Sequence, residues 1–317
     1  MTKKEDFFYD SGDKRTRIHA ICWIPESVHV RGILQIAHGM MEYIERYDEF
    51  ARYLSEKGYV VAGNDHLGHG DSVSREEDRG FFCETDGNGV LIEDMHELMN
   101  IMKKRYPSVP YFMLGHSMGS FLVRQYITIY GKEIHGAIIV GTGNQPYILI
   151  KTGELLARLI AAARGWRYRS RFINNLAIGG YNRRFEPART PFDWLTRDGG
   201  VVDAYRKDPR TNFIFTLNAY YHMFRGMSQL YSRRNLERMP KDLPVVFLSG
   251  DEDPVGDFGK GVARAYESFR KLSMKNVSIK LYKGSRHEII NELDRETVYK
   301  DITEWLNQYG NARDSDS

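Results

Sequence analysis

The five residues Gly115-His116-Ser117-Met118-Gly119 constrain this chain more than any other stretch. They follow a short apolar run, Tyr111 to Leu114, and lead into a helical pattern from Met118 to Tyr130. A serine on a sharp turn between strand and helix, with glycine two positions to either side, is the arrangement of a nucleophile elbow. Backbone that tight leaves no room for side chains beside the serine, and glycine tolerates strained or crowded backbone at least cost. The hydroxyl is then held clear of the sheet edge, and the first amides of the helix point at any carbonyl it meets. A glycine-bounded turn in an unrelated α/β protein would carry the same pentapeptide. The flanking strand and helix favour the catalytic reading.

The remaining pattern repeats the strand–helix alternation. Residues 6–10 and 16–25 read as two strands joined by the turn Ser11-Gly12-Asp13, and 33–37 as a third that ends at His38-Gly39. Tyr47, Phe50, Ala51 and Leu54 then fall at i, i+3, i+4 and i+7, a one-faced helix closed by Gly58. A strand at 60–62 ends in the loop Asn64 to Ser72, and a second amphipathic helix runs from Leu91 to Met102. After the elbow come strands at 137–140, 244–248 and 277–282, with helices around 262–269 and 298–309. Short buried strands alternating with helices predict an α/β fold whose central sheet is mostly parallel and covered on both faces. The alternation stops at Gly143 and resumes only near Pro244. Residues 1–143 and 241–317 are therefore expected to form one core, with 144–240 inserted as a helical lid. The polar end, 311–317, is expected to fray.

Apolar content of 42% and charge of 27% are those of an ordinary globular protein with enough material for a core. A net charge of +3 gives no argument for a nucleic-acid partner. The two cysteines, Cys22 and Cys83, offer neither a disulfide framework nor a metal spacing. No signal peptide or membrane span is visible, so a cytoplasmic location is expected. Charge is uneven, however. Residues 151–190 carry nine basic residues (Lys151, Arg158, Arg164, Arg167, Arg169, Arg171, Arg183, Arg184, Arg189) against Glu154 and Glu186. They lie beside a helical face predicted from Leu155, Leu156, Leu159, Ile160 and Ala163. An apolar face next to cations suits an anionic lipid surface, while arginines solvated or paired with acidic residues of the core would look the same in sequence.

A serine hydroxyl needs a neighbouring base to take its proton, and the base needs an orienting acid. In this architecture the partners arrive in the order Ser, acid, His, at the C-terminal ends of strands. His287, after the last strand, is the one histidine that lies beyond the candidate acids on such a loop. His116 is adjacent to the serine and is expected to point elsewhere. His38, His66 and His69 sit on earlier loops and are assigned structural hydrogen bonds. For the acid, Asp251, Glu252, Asp253 and Asp257 compete, and spacing alone leaves the four open.

Taken together, His38-Gly39-Met40-Met41-Glu42 through Arg46-Tyr47, Asn64 to Gly70, Gly115 to Gly119, Gly250-Asp251-Glu252-Asp253 and His287 resemble the α/β-hydrolase superfamily. Within it they are similar to the monoacylglycerol lipase and lysophospholipase-like branch grouped with serine aminopeptidases. The resemblance implies that the acid is Asp253 and that the amides of Met40 and Met118 form the oxyanion hole. Donors aimed at the charge that develops in the tetrahedral state are what such chemistry requires. It also implies that Glu42 and Arg46 face the polar end of the substrate, although a pair four residues apart near a helix start would stabilise the helix in any case. Two departures stand out. Ile290 occupies the place of a second histidine found in mammalian monoacylglycerol lipases, and the Gly-Gly-Pro-Gly stretch of proline iminopeptidases is absent.

The expected activity is cofactor-free and metal-free hydrolysis of carboxylic esters, on monoacylglycerols or lysophospholipids. Ser117 is the nucleophile, His287 the base and Asp253 its orienting acid. The expected partner is a small lipid-like ester, with transient membrane-surface contact through the basic lid. The rivals are an aminopeptidase or amidase of the same fold, and a ligand-binding relative with little turnover. The sequence does not fix an oligomeric state.

Overall fold

Along a strand, side chains alternate between the two faces of the sheet, and here both sets of faces are apolar. In the computed structural model, which describes residues 1–26 and 28–310, the elements alternate as the sequence predicts up to the sixth strand. They are β1 Thr2–Asp10, β2 Arg17–Pro25, β3 Gly32–Ala37, α1 Asp48–Glu56, β4 Tyr59–Asn64 and α2 Gly87–Arg105. Next come β5 Tyr111–His116, α3 Met118–Tyr130 and β6 Gly136–Val140. Five helices follow without a strand: α4 Tyr147–Arg164, α5 Arg171–Ile178, α6 Gly199–Lys207, α7 Leu217–Gln229 and α8 Arg233–Leu236. The chain closes with β7 Val245–Gly250, α9 Lys260–Lys271, β8 Val277–Tyr282 and α10 Arg295–Gly310. The expectation for residues 311–317 lies outside the described residues.

The strands form one sheet in the order β1-β2-β4-β3-β5-β6-β7-β8. β2 runs antiparallel to both its neighbours, and every pairing from β4 onwards is parallel. In β5, Tyr111 and Met113 face one apolar layer, with Met95, Val123 and Phe269 from α2, α3 and α9. Phe112 and Leu114 face the other, with Phe50 and Leu54 of α1 and Ile302 and Leu306 of α10. A sheet buried on both sides needs near-continuous apolar strands, as the inner strands β3 to β7 are, while the edge strands β1 and β8 are polar and partly exposed. A buried polar residue among them, Gln35 in β3, is satisfied by donating to the Met95 carbonyl at 2.9 Å and accepting from the Tyr111 hydroxyl.

β6 pairs directly with β7, Ala137 opposite Val245 through Val140 opposite Leu248. The helical segment is thus inserted between neighbouring strands: it leaves at the C-terminal end of β6, where the site loops collect, and the chain crosses back to the opposite edge to begin β7. It packs mainly through α4 against α7, where Gly153 lets the Phe224 ring lie directly on the α4 backbone. The predicted face of α4 needs correction. The buried line is Ile150, Gly153, Ala157 and Ala161, with Leu156 and Ile160 half-buried beside it, while Ile148, Leu155 and Leu159 are exposed. A helix apolar nearly all round does not reveal its inner side by periodicity. Among the described residues, no helix is long and apolar enough to cross a membrane.

Candidate active site

β5 ends at His116 and α3 begins at Met118, so the whole turn is carried by Ser117. Its φ of 53° and ψ of −118° lie where a non-glycine residue is strained, at roughly 1–3 kcal/mol. The strain that the sequence suggested for the glycines sits on the serine instead. Gly115 and Gly119 are required by crowding: a Cβ on Gly115 would meet the Gly119 carbonyl, and one on Gly119 the Ala37 carbonyl. Ser117 N–H donates to the Val140 carbonyl at 3.0 Å, which ties the turn to β6.

His287 and Asp253 are brought together by the loops after β8 and β7. His287 Nδ1 lies 3.0 Å from each Asp253 carboxylate oxygen, and both residues are buried. Asp253 is held in turn by the Val255 N–H at 2.9 Å and the Ser249 hydroxyl at 3.2 Å. The competing acids turn away. Asp251 accepts from the Gly284 N–H, Glu252 pairs with Arg184, and Asp257 pairs with Arg264. With Nδ1 committed to Asp253, Nε2 is the ring nitrogen left for the cavity that His287 and Ser117 both line.

That cavity has a volume of about 210 Å³. Its walls are Met40, Met118 and Phe121 from the core, Ile150, Leu176, Trp194 and Tyr205 from the segment between β6 and β7, and many further apolar groups. Lysine and arginine are absent from its lining, and Glu42, His116 and Glu288 supply charge at the end near Ser117. Met118 opens α3, so its N–H has no intrahelical acceptor. Neither it nor the Met40 N–H bonds to backbone among the described residues. The turn that carries Met40 is held by the three histidines assigned a structural role. His38 Nδ1 donates to the Gly39 carbonyl and its Nε2 accepts the His66 N–H, while His69 Nε2 faces the Met41 N–H at 3.4 Å. Burial pushes all three imidazoles down, His69 to about 3, which favours their neutral forms. His38 and His69 accept through Nε2, whereas His66 contributes its backbone N–H and its ring nitrogens have no hydrogen-bond partner among the described residues.

Glu42 lines the cavity, but Arg46 lies behind it and does not. The Arg46 guanidinium, itself largely covered, grips the buried carboxylates of Glu288 at 2.8 and 2.7 Å and Glu42 at 2.9 Å. Glu42 also accepts from Tyr47 at 3.0 Å and from His116 Nδ1 at 2.9 Å. Burial opposes charge on His116, but the adjacent Glu42 carboxylate outweighs it and raises the imidazole above its usual range. Sequence reasoning missed Glu288 and gave His116 no part. The available signal was position alone: each is the immediate neighbour of a candidate catalytic residue.

Much of the basic segment is internally paired. Arg167 binds Asp78 at 2.7 Å, Arg189 binds Asp203 at 2.7 Å, Lys151 binds Glu154, and Arg169 donates to the carbonyls of Glu77, Arg79 and Ile214. Arg158, Arg164 and Arg171 remain exposed beside Ile148, Leu155, Leu159 and Phe172.

Fold and site together define an α/β-hydrolase. Comparison with known proteins narrows this further. The family profile described as "Serine aminopeptidase, S33" matches residues 28–294, and the chain belongs to that family. It is 25% identical to the monoacylglycerol lipase of Mycolicibacterium smegmatis over 96% of this chain and 97% of that one. It is 27% identical to the monoglyceride lipase of Rattus norvegicus over 90% of this chain and 84% of the relative. Among solved structures, a thermostable carboxyl esterase from Bacillus coagulans in complex with glycerol superposes with a TM-score of 0.89. That esterase is 30% identical, with 98% of this chain and 99% of the other covered. The protein is a serine carboxylic-ester hydrolase of the monoacylglycerol lipase-like branch.

Proposed function

We propose that the protein hydrolyses monoacylglycerols through an acyl-enzyme on Ser117. The observation that carries the choice of substrate is the cavity lining: apolar along its length, free of lysine and arginine, and bearing two carboxylates beside Ser117. An acyl chain fits the apolar walls. A phosphate head group would lie against Glu42 and Glu288 with no lysine or arginine in the lining to receive it and His116 already paired with Glu42, and like-charge contacts of that kind cost several kcal/mol. The carboxylates are also poor receptors for a peptide's ammonium group. Glu42 already accepts from Gly39, Tyr47, Arg46 and His116, which fills the roughly four sites of a carboxylate. Glu288 accepts two bonds from Arg46 and one from Asn291, which leaves about one site. One free acceptor suits a glycerol hydroxyl.

In this mechanism Ser117 Oγ attacks the ester carbonyl while His287 Nε2 takes its proton. Asp253 holds the imidazole in the tautomer that leaves Nε2 free. The amides of Met40 and Met118 receive the oxyanion, and His287 returns the proton to the departing alcohol. Water, activated by the same histidine, then opens the acyl-enzyme. Residues 144–240 act as a lid whose exposed Ile148, Leu155 and Leu159, flanked by Arg158, Arg164 and Arg171, meet a lipid surface.

One substrate panel tests the whole reading. A monomeric short-chain monoacylglycerol should exceed the matching lysophosphatidate in kcat/KM by at least about tenfold, and aminoacyl anilides should lie far below both. With substrate in anionic vesicles, Arg158→Glu combined with Arg164→Glu should slow turnover while leaving the monomeric ester unaffected. Lysophosphatidate or anilide as the preferred substrate would overturn the head-group assignment. Equal vesicle rates would overturn the lipid-surface role.

A further inference from the structure

The groups that react in the proposed mechanism lie on three loops, and each loop carries a buried ionisable neighbour. His116 precedes Ser117, Glu288 follows His287, and Glu42 lies two residues beyond Met40. These neighbours meet through Arg46, whose guanidinium forks onto Glu288 and also reaches Glu42, while Glu42 binds His116. We propose that Arg46 and Glu288 are positioning residues. With Glu42 and His116 they form a buried chain of ion pairs that fixes Ser117, His287 and the Met40 turn relative to one another. The proposal rests on the mechanism above and extends it to residues that touch no reacting atom.

Three features make the chain stiff. The Arg46–Glu288 contact is bidentate and planar, so it fixes orientation as well as distance. Glu288 is held from the opposite side, its N–H donating to the Leu195 carbonyl at 2.7 Å, and the Tyr205 ring lies 5.0 Å from the Arg46 guanidinium. Burial opposes charge on all four groups, yet their mutual attraction prevails: Glu42 and Glu288 are held below, and Arg46 and His116 above, their ordinary ranges.

Displacement of the chain reaches the reacting groups by direct contact. A Cβ on Gly39 would touch both the Glu42 carboxylate and Ser117 Cβ, so little space separates them. The rings of His116 and His287 pack with centroids 4.8 Å apart, and both lie against Gly141. A buried ion pair is seldom the most stabilising way to fill a core, since desolvation offsets much of the attraction. A chain that joins the neighbours of nucleophile, base and oxyanion donor is better explained by geometry than by stability.

Positioning and head-group binding differ in what they affect. A positioning residue acts on the chemistry of every substrate, including one without a glycerol. With p-nitrophenyl butyrate, Glu288→Gln should lower kcat about 10- to 100-fold and leave KM within about twofold. Phosphonylation by a fluorophosphonate should slow by the same factor. Arg46→Lys keeps the charge but loses the fork, so it should act in the same direction, and it carries the comparison if Glu288→Gln does not fold. Glu288→Asp should recover part of the loss. The double variant Arg46→Gln with Glu288→Gln should be no slower than the slower single variant, because both remove one interaction. A lower melting temperature with unchanged kcat would reduce the chain to a structural role. A raised KM for monoacylglycerol with unchanged phosphonylation would make these residues head-group binders and nothing more, and either result overturns the proposal. Ser117→Ala run in parallel separates the two levels. Activity retained in Ser117→Ala defeats the mechanism itself, whereas an inactive Ser117→Ala beside a fully active Glu288→Gln defeats only the positioning chain.

Discussion

Ser117→Ala is expected to lower kcat on a short-chain monoacylglycerol by at least about 10³-fold, as deletion of a serine nucleophile does in comparable triads. The fold should survive. The Ser117 backbone is anchored through its N–H to Val140 and its carbonyl to Ser120, and both contacts remain when the hydroxyl is removed. The residual rate should come from the cavity and the Met40 and Met118 amides, which under the proposed mechanism would still receive the ester and its oxyanion. Steady-state kinetics together with a melting curve check both halves. Activity within tenfold of wild type in a folded variant would remove Ser117 from the chemistry.

Asp253→Asn should also be severe, lowering kcat by roughly 10⁴. The carboxylate accepts from His287 Nδ1, Val255 N–H and the Ser249 hydroxyl at once. An asparagine can keep the Val255 bond with its oxygen, but its NH₂ then faces the imidazole. Nδ1 becomes an acceptor, the ring proton moves to Nε2, and the nitrogen facing Ser117 can no longer take a proton. Asp251→Asn and Asp257→Asn should stay within a few-fold of wild type, because their partners are Gly284 and Arg264 rather than His287. Kinetics on the three variants side by side decide the matter. A large loss at Asp251 with little at Asp253 would show the acid to be misassigned.

How much of this was legible in the sequence follows from the range of each interaction. The turn at Ser117 is largely local, since strand, turn and helix lie within some twenty residues of chain and the glycine spacing announces it, although the backbone that crowds Gly119 is that of Ala37 in β3. The parallel sheet was legible for a similar reason: each buried strand is a short apolar run, and alternation with helices leaves few arrangements. The choice of acid was not. Asp251, Glu252, Asp253 and Asp257 differ in which way the loop turns, and that direction is set by bonds such as Phe258 N–H to the Asp253 carbonyl. Only resemblance singled out Asp253 from sequence.

Glu288 escaped notice because its partner Arg46 lies 242 positions away in the chain, and nothing near Glu288 reports that distance. A carboxylate on a loop looks like solvated charge until the loop is buried. The basic segment misled for the same reason in reverse. Arg167 and Arg169 belong to contacts with residues 77–79 of the core, so a charge count along the chain overstates the free cationic surface. For α4, amphipathic periodicity could not choose a face on a helix with apolar residues on several sides. Packing of Phe224 against Gly153 made the choice.

The most direct test of the account is to find the residue that forms the covalent intermediate. The active enzyme would be treated with a fluorophosphonate, digested, and the modified peptide sequenced by mass spectrometry. One stoichiometric adduct on Ser117 is expected, with loss of esterase activity in step with labelling and protection by a monoacylglycerol. An active preparation that takes no label, or one that carries it on another residue, would contradict it.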